Sequence, residues 1–469
     1  MKLYNTLTKK TEELNPLEQG VIRMYSCGPT VYDHIHIGNL ASFIYADTLR
    51  RTLKLSGFDV DHVMNYTDVD DKTIRRSQEK YSDKDPMDAL ITLTEEYSSL
   101  FLGDMKAVGN NIQDISFVKA TQSVNEMQNI IRRLLEQKYA YHSDDGIYFS
   151  ISAYKQSGKK YGQLTEVTVN STSQARIEND EYDKESAHDF ALWKKQKDNE
   201  PAWDFEVDGM NLKGRPGWHI ECSAMSKAEL GQPFDIHTGG VDLIFPHHEN
   251  EIAQSTACEA NATYATTFFH NEHLLIDGKK MSKSLNNFYT LSTLQEKGFD
   301  PLAFRLLVLQ AQYNHQAHFS WDNLQSSANR LNGYRGLAAL RWQTKKLPAQ
   351  GSDSFQQTKN EILAQAHNGL GIPQALATLS AYSDFLKDKL IPDSNKQDFD
   401  KFLVFIDDLL GLDLLAVKDI TNDQKQLLEA REQAREAKDW DKSDVIRGQL
   451  AEQGVGIRDT EHGPIWFPL

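Results

Sequence analysis

The chain has 469 residues with 39% hydrophobic and 25% charged side chains, and its 51 basic and 67 acidic residues give a formal net charge of −16. That length exceeds a single core and predicts three or more domains, while the charge excludes a general nucleic-acid binder, so any RNA must meet a local basic face. No apolar run approaches the ~18 residues of a membrane span, the start Met-Lys-Leu-Tyr-Asn-Thr-Leu lacks a signal region, and three cysteines make no disulfide framework, which points to a cytoplasmic protein without a membrane partner.

Val21–Tyr25 alternates like a half-buried strand, and Leu40–Arg51 has apolar residues at helical spacing. Between them, Ser26–Asn39 is a strand-to-helix loop at the carboxyl end of an early strand. Ligands bind at that edge of an open α/β sheet, and the helix start suits a phosphate. Gly57–Asn65 predicts a second strand ending in the polar loop Tyr66-Thr67-Asp68. Residues 1–115 therefore read as the first half of a doubly wound parallel sheet.

From 116 to 212 the texture changes to that of an insertion. Ser123–Gln137 is helical, Tyr139–Ile151 reads as a hairpin with an Asp-Gly turn, and Thr165–Glu185 is polar without a period. The second half, 213–290, resumes the sheet near Arg215. Asp235–Asp242 is a strand running into Gly239-Gly240, His247–Cys258 a helix, and Phe268–Ile276 a strand leading to a basic loop. Cys258, in a run of small residues, reads as a packed thiol without chemistry.

Asp300-Pro301 starts a helix, and helices to about Arg341 fill 291–344. Turn-rich Lys345–Ser354 marks a boundary, and amphipathic helices make a bundle to 412. The last unit, 413–469, has a helical region Asn422–Glu452 broken at Asp439–Asp441, then a strand pair around Gly463-Pro464. The predicted class is α/β: a Rossmann-like parallel-sheet domain with an insertion, followed by a helical bundle and a small C-terminal domain.

Three groups of residues carry chemistry. Ser26–Asn39 brings together the Cys27 thiol, a Gly28-Pro29 turn, the Thr30 hydroxyl and the tetrapeptide His36-Ile37-Gly38-Asn39. Gly278–Ser284 contains Lys280-Met281-Ser282-Lys283-Ser284. Taken singly, the first also reads as a loop histidine with a turn glycine, and the second as a solvated basic loop. In the third group, His247 and Glu251 lie one turn apart on one helix face. With Cys27 and Cys222 from distant loops they offer thiolate, imidazole and carboxylate, a set that suits Zn²⁺. The spacing is no zinc-finger ladder, and two ordinary thiols beside a surface helix fit it as well. His248 is the alternative ligand on a rotated helix, or else a supporting group.

Together, the His36–Asn39 and Lys280–Ser284 stretches resemble the two signature motifs of class I aminoacyl-tRNA synthetases. The first motif usually ends in His, where Asn39 stands here. That departure is shared with the cysteinyl-tRNA synthetases, which Cys27–Thr30, Asn65–Lys72, Gly217–Met225 and Phe245–Ser255 also resemble. The resemblance covers nearly the whole chain.

The resemblance implies an enzyme that joins L-cysteine to tRNA(Cys) at the expense of ATP. It implies that Thr30, His36 and Asn39 contact the nucleotide phosphates and that Gly38 lets adenine or backbone come close. Lys280 and Lys283 would close over pyrophosphate, and Mg²⁺ would accompany ATP. One Zn²⁺ per chain would sit on Cys27, Cys222, His247 and Glu251 and take the substrate sulfur. Trp218 would be an apolar wall, though it also reads as a core aromatic. Thr67, His237 and Asp242 would surround the amino group and the metal-bound end. The insertion would help position the tRNA acceptor end and the C-terminal region would read the anticodon stem and loop; a monomer is expected. Three rivals remain: a cysteine ligase acting on an amino sugar, a non-catalytic synthetase-like binding protein, and a zinc hydrolase. The last lacks the His-Glu-x-x-His order.

Overall fold

The computed structural model describes residues 1–165, 189–280, 287–347 and 353–469. Lys283 and the rest of the Lys-Met-Ser-Lys-Ser loop after Lys280, nearly all of 165–185 and half of the 345–354 boundary lie outside them. The first half contains β1 (Val21–Ser26), α1 (Ile37–Leu55), β2 (Asp59–Tyr66), α2 (Asp71–Lys80), α3 (Pro86–Ala107) and β3 (Ser116–Lys119). There follow α4 (Val124–Glu136), β4 (Ala140–Ser143), β5 (Gly146–Phe149), β6 (Phe190–Lys195) and β7 (Gly214–Pro216). Next come α5 (Trp218–Leu230), β8 (Phe234–Gly240), α6 (Glu249–Thr256), β9 (Ala265–Asn271) and β10 (Leu274–Ile276). The helical part holds α7 (Pro301–Leu309), β11 (Ala317–Phe319), α8 (Trp321–Ala339), α9 (Asp353–His367), α10 (Ile372–Leu386) and α11 (Lys396–Leu410). The chain ends with α12 (Asn422–Glu436), α13 (Trp440–Glu452), β12 (Val455–Thr460) and β13 (Gly463–Pro468).

The central sheet is parallel throughout, in the order β9-β8-β1-β2-β3. Chain order therefore reverses between β1 and β8, the place where such sheets open a ligand crevice. The expected doubly wound, Rossmann-like sheet is present, but its limits differ from the expected ones. β3 pairs with β2, so the sheet runs past residue 115. Gly214–Pro216 pairs antiparallel with β6, which puts Arg215 in the insertion's own sheet, β7-β6-β5-β4. A strand of three or four residues has no period long enough to assign it to a sheet. The expected strand Phe268–Ile276 is two: β9 stays in the central sheet, and β10 leaves to pair with β11.

Local chemistry explains the helix starts. Asp70 and Thr73 form a capping box on α2, and Asp300 Oδ1 accepts from Leu302 N ahead of Pro301. Asp439 caps α13 and so breaks the long C-terminal helical region where expected. The terminal hairpin turns at Glu461-His462, with Gly463 as its first strand residue.

One apolar core continues from the central sheet into the α9–α11 bundle. The seam is also ionic. Asp47 on α1 is buried and paired with Arg50, with Arg51 at 2.7 Å and with Arg305 at 2.7 Å. Burial would raise its carboxyl, but Arg51, Arg305 and Arg50 hold it well below the usual carboxylate range. Arg51 and Arg305 also donate to carbonyls at the end of α11, Asp407, Asp408 and Leu410. There Gly109 and Gly411, both at positive φ, meet so closely that a Cβ on Gly109 would lie 2.4 Å from the Gly411 carbonyl oxygen. Asp47→Ala leaves buried guanidinium charge uncompensated and should cost about 3–5 kcal/mol in urea unfolding. A loss under 1 kcal/mol would show that water or other groups compensate the arginines.

The C-terminal unit has a smaller core of its own around Ile420, Ile446, Leu450, Val455, Ile457 and Trp466. It is tied to the end of α8 by Gln343, whose side chain exchanges two hydrogen bonds with the Trp466 backbone, both 2.8 Å.

Candidate active site

A cleft of about 360 Å³ opens at the carboxyl ends of β1 and β8. Cys27, Thr30, His36, Asn39, Trp218 and Asp242 line it, as does Lys72. Sequence reasoning brought the first six together; it gave Lys72 no role, although the stretch Asn65–Lys72 contains it.

One wall is the start of α1. The helix begins at Ile37, earlier than the expected Leu40, because His36 is its cap: Nδ1 accepts from Asn39 N at 3.1 Å. The imidazole proton in this arrangement is on Nε2. Ile37 N donates to the Tyr289 carbonyl at 2.9 Å. This leaves Gly38 as the first-turn amide with no partner among the described residues, at the positive end of the helix dipole. Gly38 itself does not line the cleft.

The floor is a cluster of buried donors. Ligand atoms of Cys27, Cys222, His247 and Glu251 all lie within 4.8 Å of one another. The two sulfurs are 3.8 Å apart. Two sulfurs at roughly 2.3 Å from a tetrahedral zinc would be about 3.8 Å apart, so the donor set fits that ion in type and in spacing. His247 Nε2 meets Glu251 Oε1 at 2.7 Å, the one-turn pairing expected. Cys222 comes from helix α5 rather than a loop. A second set, Cys27, His237, His248 and Glu251, is equally close, with His248 Nε2 3.3 Å from Cys27 Sγ. Both readings of His248 thus keep a geometric basis.

The electrostatics of the cluster pull its members in opposite directions. Cys222 is drawn down to about 6, by its hydrogen bond with Cys27 and then by His247 acting against burial. Burial pushes the Cys27 thiol well up, and its neighbour Cys222 adds to that. Burial would raise Glu251, but His237 and His247 hold it well below its ordinary value. Burial would lower His247, yet Glu251 and Cys222 raise it to about 10.

The supporting groups were not evident in the sequence. His219 Nδ1 lies 2.9 Å from His247 Nδ1, and Tyr264 donates to Glu251 Oε2 at 3.0 Å. His248 Nδ1 meets His270 at 2.7 Å. Asn65 Oδ1 accepts from Gly28 N at 2.8 Å, and a Cβ on Gly28 would lie 1.7 Å from the Asn65 carbonyl oxygen. Only glycine fits the loop that delivers Cys27. Asn65 and Glu221 stand in stretches already singled out, but a single sequence does not mark them above their neighbours.

The amino-acid pocket differs from expectation. Trp218 stacks on His247 with ring centroids 4.2 Å apart and lines the cleft as a wall. Asp242 is on the exposed rim. Thr67 is buried off the wall, its hydroxyl donating to Glu221 Oε2 at 2.9 Å. His237 lies behind Glu251, bonded to Oε2 at 2.6 Å. Neither lines the cleft; each meets a buried carboxylate instead. Residues on a strand end alternate faces, and the sequence alone did not fix which face Thr67 and His237 take. Lys280 closes a two-residue strand opposite Leu275. Cys258 packs against the insertion-side core, as expected of an inert thiol.

Comparison with known proteins completes the description. Residues 13–329 match the family model for the tRNA synthetases class I (C) catalytic domain. Residues 417–466 match the cysteinyl-tRNA ligase anticodon binding domain. A cysteine–tRNA ligase of Leptospira interrogans is 39% identical over 99% of both chains. One of Brachyspira hyodysenteriae is 37% identical over 99% of this chain and 98% of its own. Among solved structures, a Mycobacterium tuberculosis methionyl-tRNA synthetase with bound methionyl-adenylate superimposes with a TM-score of 0.58 at 12% identity. The match covers 86% of this chain and 95% of that one. A LeuRS of Agrobacterium radiobacter K84 in a ternary complex gives 0.59 at 10% identity, covering 86% of each. The two structures speak for the fold alone.

Proposed function

The chain belongs to the cysteine–tRNA ligase family of class I tRNA synthetases, and we propose that it activates L-cysteine with ATP and transfers it to tRNA(Cys). The observation that carries the specificity is the donor cluster beneath the cleft. Cys27 stands nine residues before His36, so one loop serves both the metal and the nucleotide. Cys27, Cys222, His247 and Glu251 would hold one Zn²⁺. When bound, that ion supplies a Lewis acid of borderline softness for which a cysteine thiolate is a good ligand and a serine hydroxyl a poor one. An apolar pocket separates substrates by only ~100-fold per methylene-sized difference, so ligation is the stronger discriminator.

In the first half-reaction the cysteine carboxylate attacks the α-phosphorus of ATP in line. The bond to the bridging oxygen breaks and pyrophosphate leaves, giving cysteinyl-adenylate. Such chemistry needs positioning and charge neutralisation more than a protein nucleophile. Thr30, His36, Asn39 and the Gly38 amide would bind and orient the phosphates from the α1 start. Lys280 and Lys283 would neutralise the departing pyrophosphate, with Mg²⁺ accompanying the nucleotide. Trp218 would wall the cysteine side and exclude water; Thr67 and His237 would hold Glu221 and Glu251 in place beneath it, and Asp242 would face the amino group from the rim. In the second half-reaction a 3′-terminal ribose hydroxyl attacks the acyl carbon and AMP leaves. Pyrophosphate exchange with cysteine, serine or an amino sugar, with and without tRNA, tests this reading. Exchange with cysteine and transfer to the sugar instead of tRNA would favour the rival ligase. The match at 417–466 supports the tRNA enzyme.

The division of cores predicts a separable function for the tail. Deleting residues 418–469 removes the small core but leaves the bundle on the catalytic sheet. Cysteine-dependent exchange should persist, while tRNA charging should fall about 100-fold for want of a second attachment point. Equal losses in both assays would make the tail part of the catalytic core.

A further inference from the structure

We propose that the outer face of α2 is the phosphate track along which the single-stranded 3′ end of the tRNA enters the cleft; this rests on the ligase reading above. A second hollow, of about 320 Å³, lies beside the cleft and is lined by Tyr32, Asp33, Lys72, Arg75, Arg76 and Glu79. Tyr32, Asp33 and Lys72 line both, so groove and cleft are continuous. Lys72, Arg75 and Arg76 stand at i, i+3 and i+4 and share one face of α2. The helix beneath them is held by its capping box and by buried Ile74 and Ser77.

The charges there are not simply cancelled by neighbours. Arg76 meets Glu79 at 3.5 Å, with both side chains exposed, and also feels Asp33. Asp71, beside Lys72, is taken by Lys194 at 2.9 Å and by Arg215. Among the described residues neither Lys72 nor Arg75 makes a close ion pair, although Lys72 acts at longer range on Asp70. In a chain of net charge −16, Lys72, Arg75 and Arg76 outnumber Asp33 and Glu79 in this groove and leave its lining positive. Such a patch draws and orients a polyanion.

Two phosphate-bearing substrates use this protein, and the groove favours the longer one. On the ligase reading, ATP with its phosphates at the α1 start would lie within the cleft. The occupant of the groove has to extend out of it. The RNA does so, because its terminal ribose must reach the adenylate while the preceding phosphates trail outward. Tyr32, partly buried against the core where groove and cleft join, places an aromatic side chain beside the track. Cations with an aromatic platform are how single-stranded nucleic acid is held without reading its sequence.

The test is an Arg75→Gln, Arg76→Gln double variant of the full chain. Aminoacylation of a tRNA(Cys) transcript is measured over a range of salt, and cysteine-dependent pyrophosphate exchange in the same preparations. The KM for tRNA should rise about tenfold, and the salt dependence of log KM should become shallower by about one to two. Exchange, and its KM for ATP and cysteine, should be unchanged, and Arg75→Lys, Arg76→Lys should restore tRNA binding. A tRNA KM and salt slope equal to the parent's would overturn the track. So would a raised ATP KM in exchange, which would give the groove to the nucleotide. A parent chain without cysteine-dependent exchange would overturn the ligase reading instead, so the two failures are distinguishable.

Discussion

Cys222→Ala should lose the bound metal and raise the cysteine requirement of adenylate formation by more than about 100-fold, with little change in that for ATP. The scale follows from what stands behind such ligands: even their hydrogen-bonding partners are worth roughly 10- to 100-fold in metal affinity. Cys222 is the more acidic thiol of the pair, 3.8 Å from Cys27, and it projects from a fixed helix rather than a loop. The His36 end of the cleft does not depend on it, since that wall is built by the α1 cap and by Tyr289. Metal content and the two KM values in pyrophosphate exchange check the expectation. A metal that only braced the fold would take both substrates and thermal stability with it.

Lys283→Ala should slow adenylate formation about 100- to 1000-fold while leaving metal content and cysteine affinity intact. That is the usual cost of removing one preorganised group that meets charge developing in the transition state. The flanks of its segment support the assignment. Lys280 is paired with Leu275 on one side, and on the other Phe288 meets the His36 ring edge to face at 5.4 Å and lines the cleft. Six residues join Lys280 to Asn287, and Phe288 just beyond them stands on the cleft wall with His36. Exchange kinetics equal to the parent's would remove Lys283 from the reaction.

The elements that position the site were legible where pattern and cap coincide. Val21–Tyr25, Gly57–Asn65 and Asp235–Asp242 carry strand runs ending in polar or glycine loops, and Asp300-Pro301 and Asp439 announce their helices. What failed were short pieces with no period: Ser116–Lys119 joined the central sheet and Gly214–Pro216 the insertion's sheet. The four candidate metal donors were legible as residue types, and His247 with Glu251 as a helical pair. The direction of Thr67 and His237 was not. A residue at a strand end can face the cleft or the layer behind it, and Glu221 and Glu251, both fully buried, decide that from elsewhere in the chain. His219, His270 and Tyr264 were illegible for the same reason: their value lies in contacts across the fold.

The central claim, that the cluster beneath the cleft selects cysteine through a metal, has one most direct test. The protein is prepared with Co²⁺ in place of Zn²⁺, and its absorption spectrum is recorded with cysteine, with serine and with neither. A sulfur-to-metal charge-transfer band that intensifies with cysteine and is unmoved by serine is the predicted result. A tightly bound cobalt whose spectrum ignores cysteine would contradict it, even in a protein that still charges tRNA.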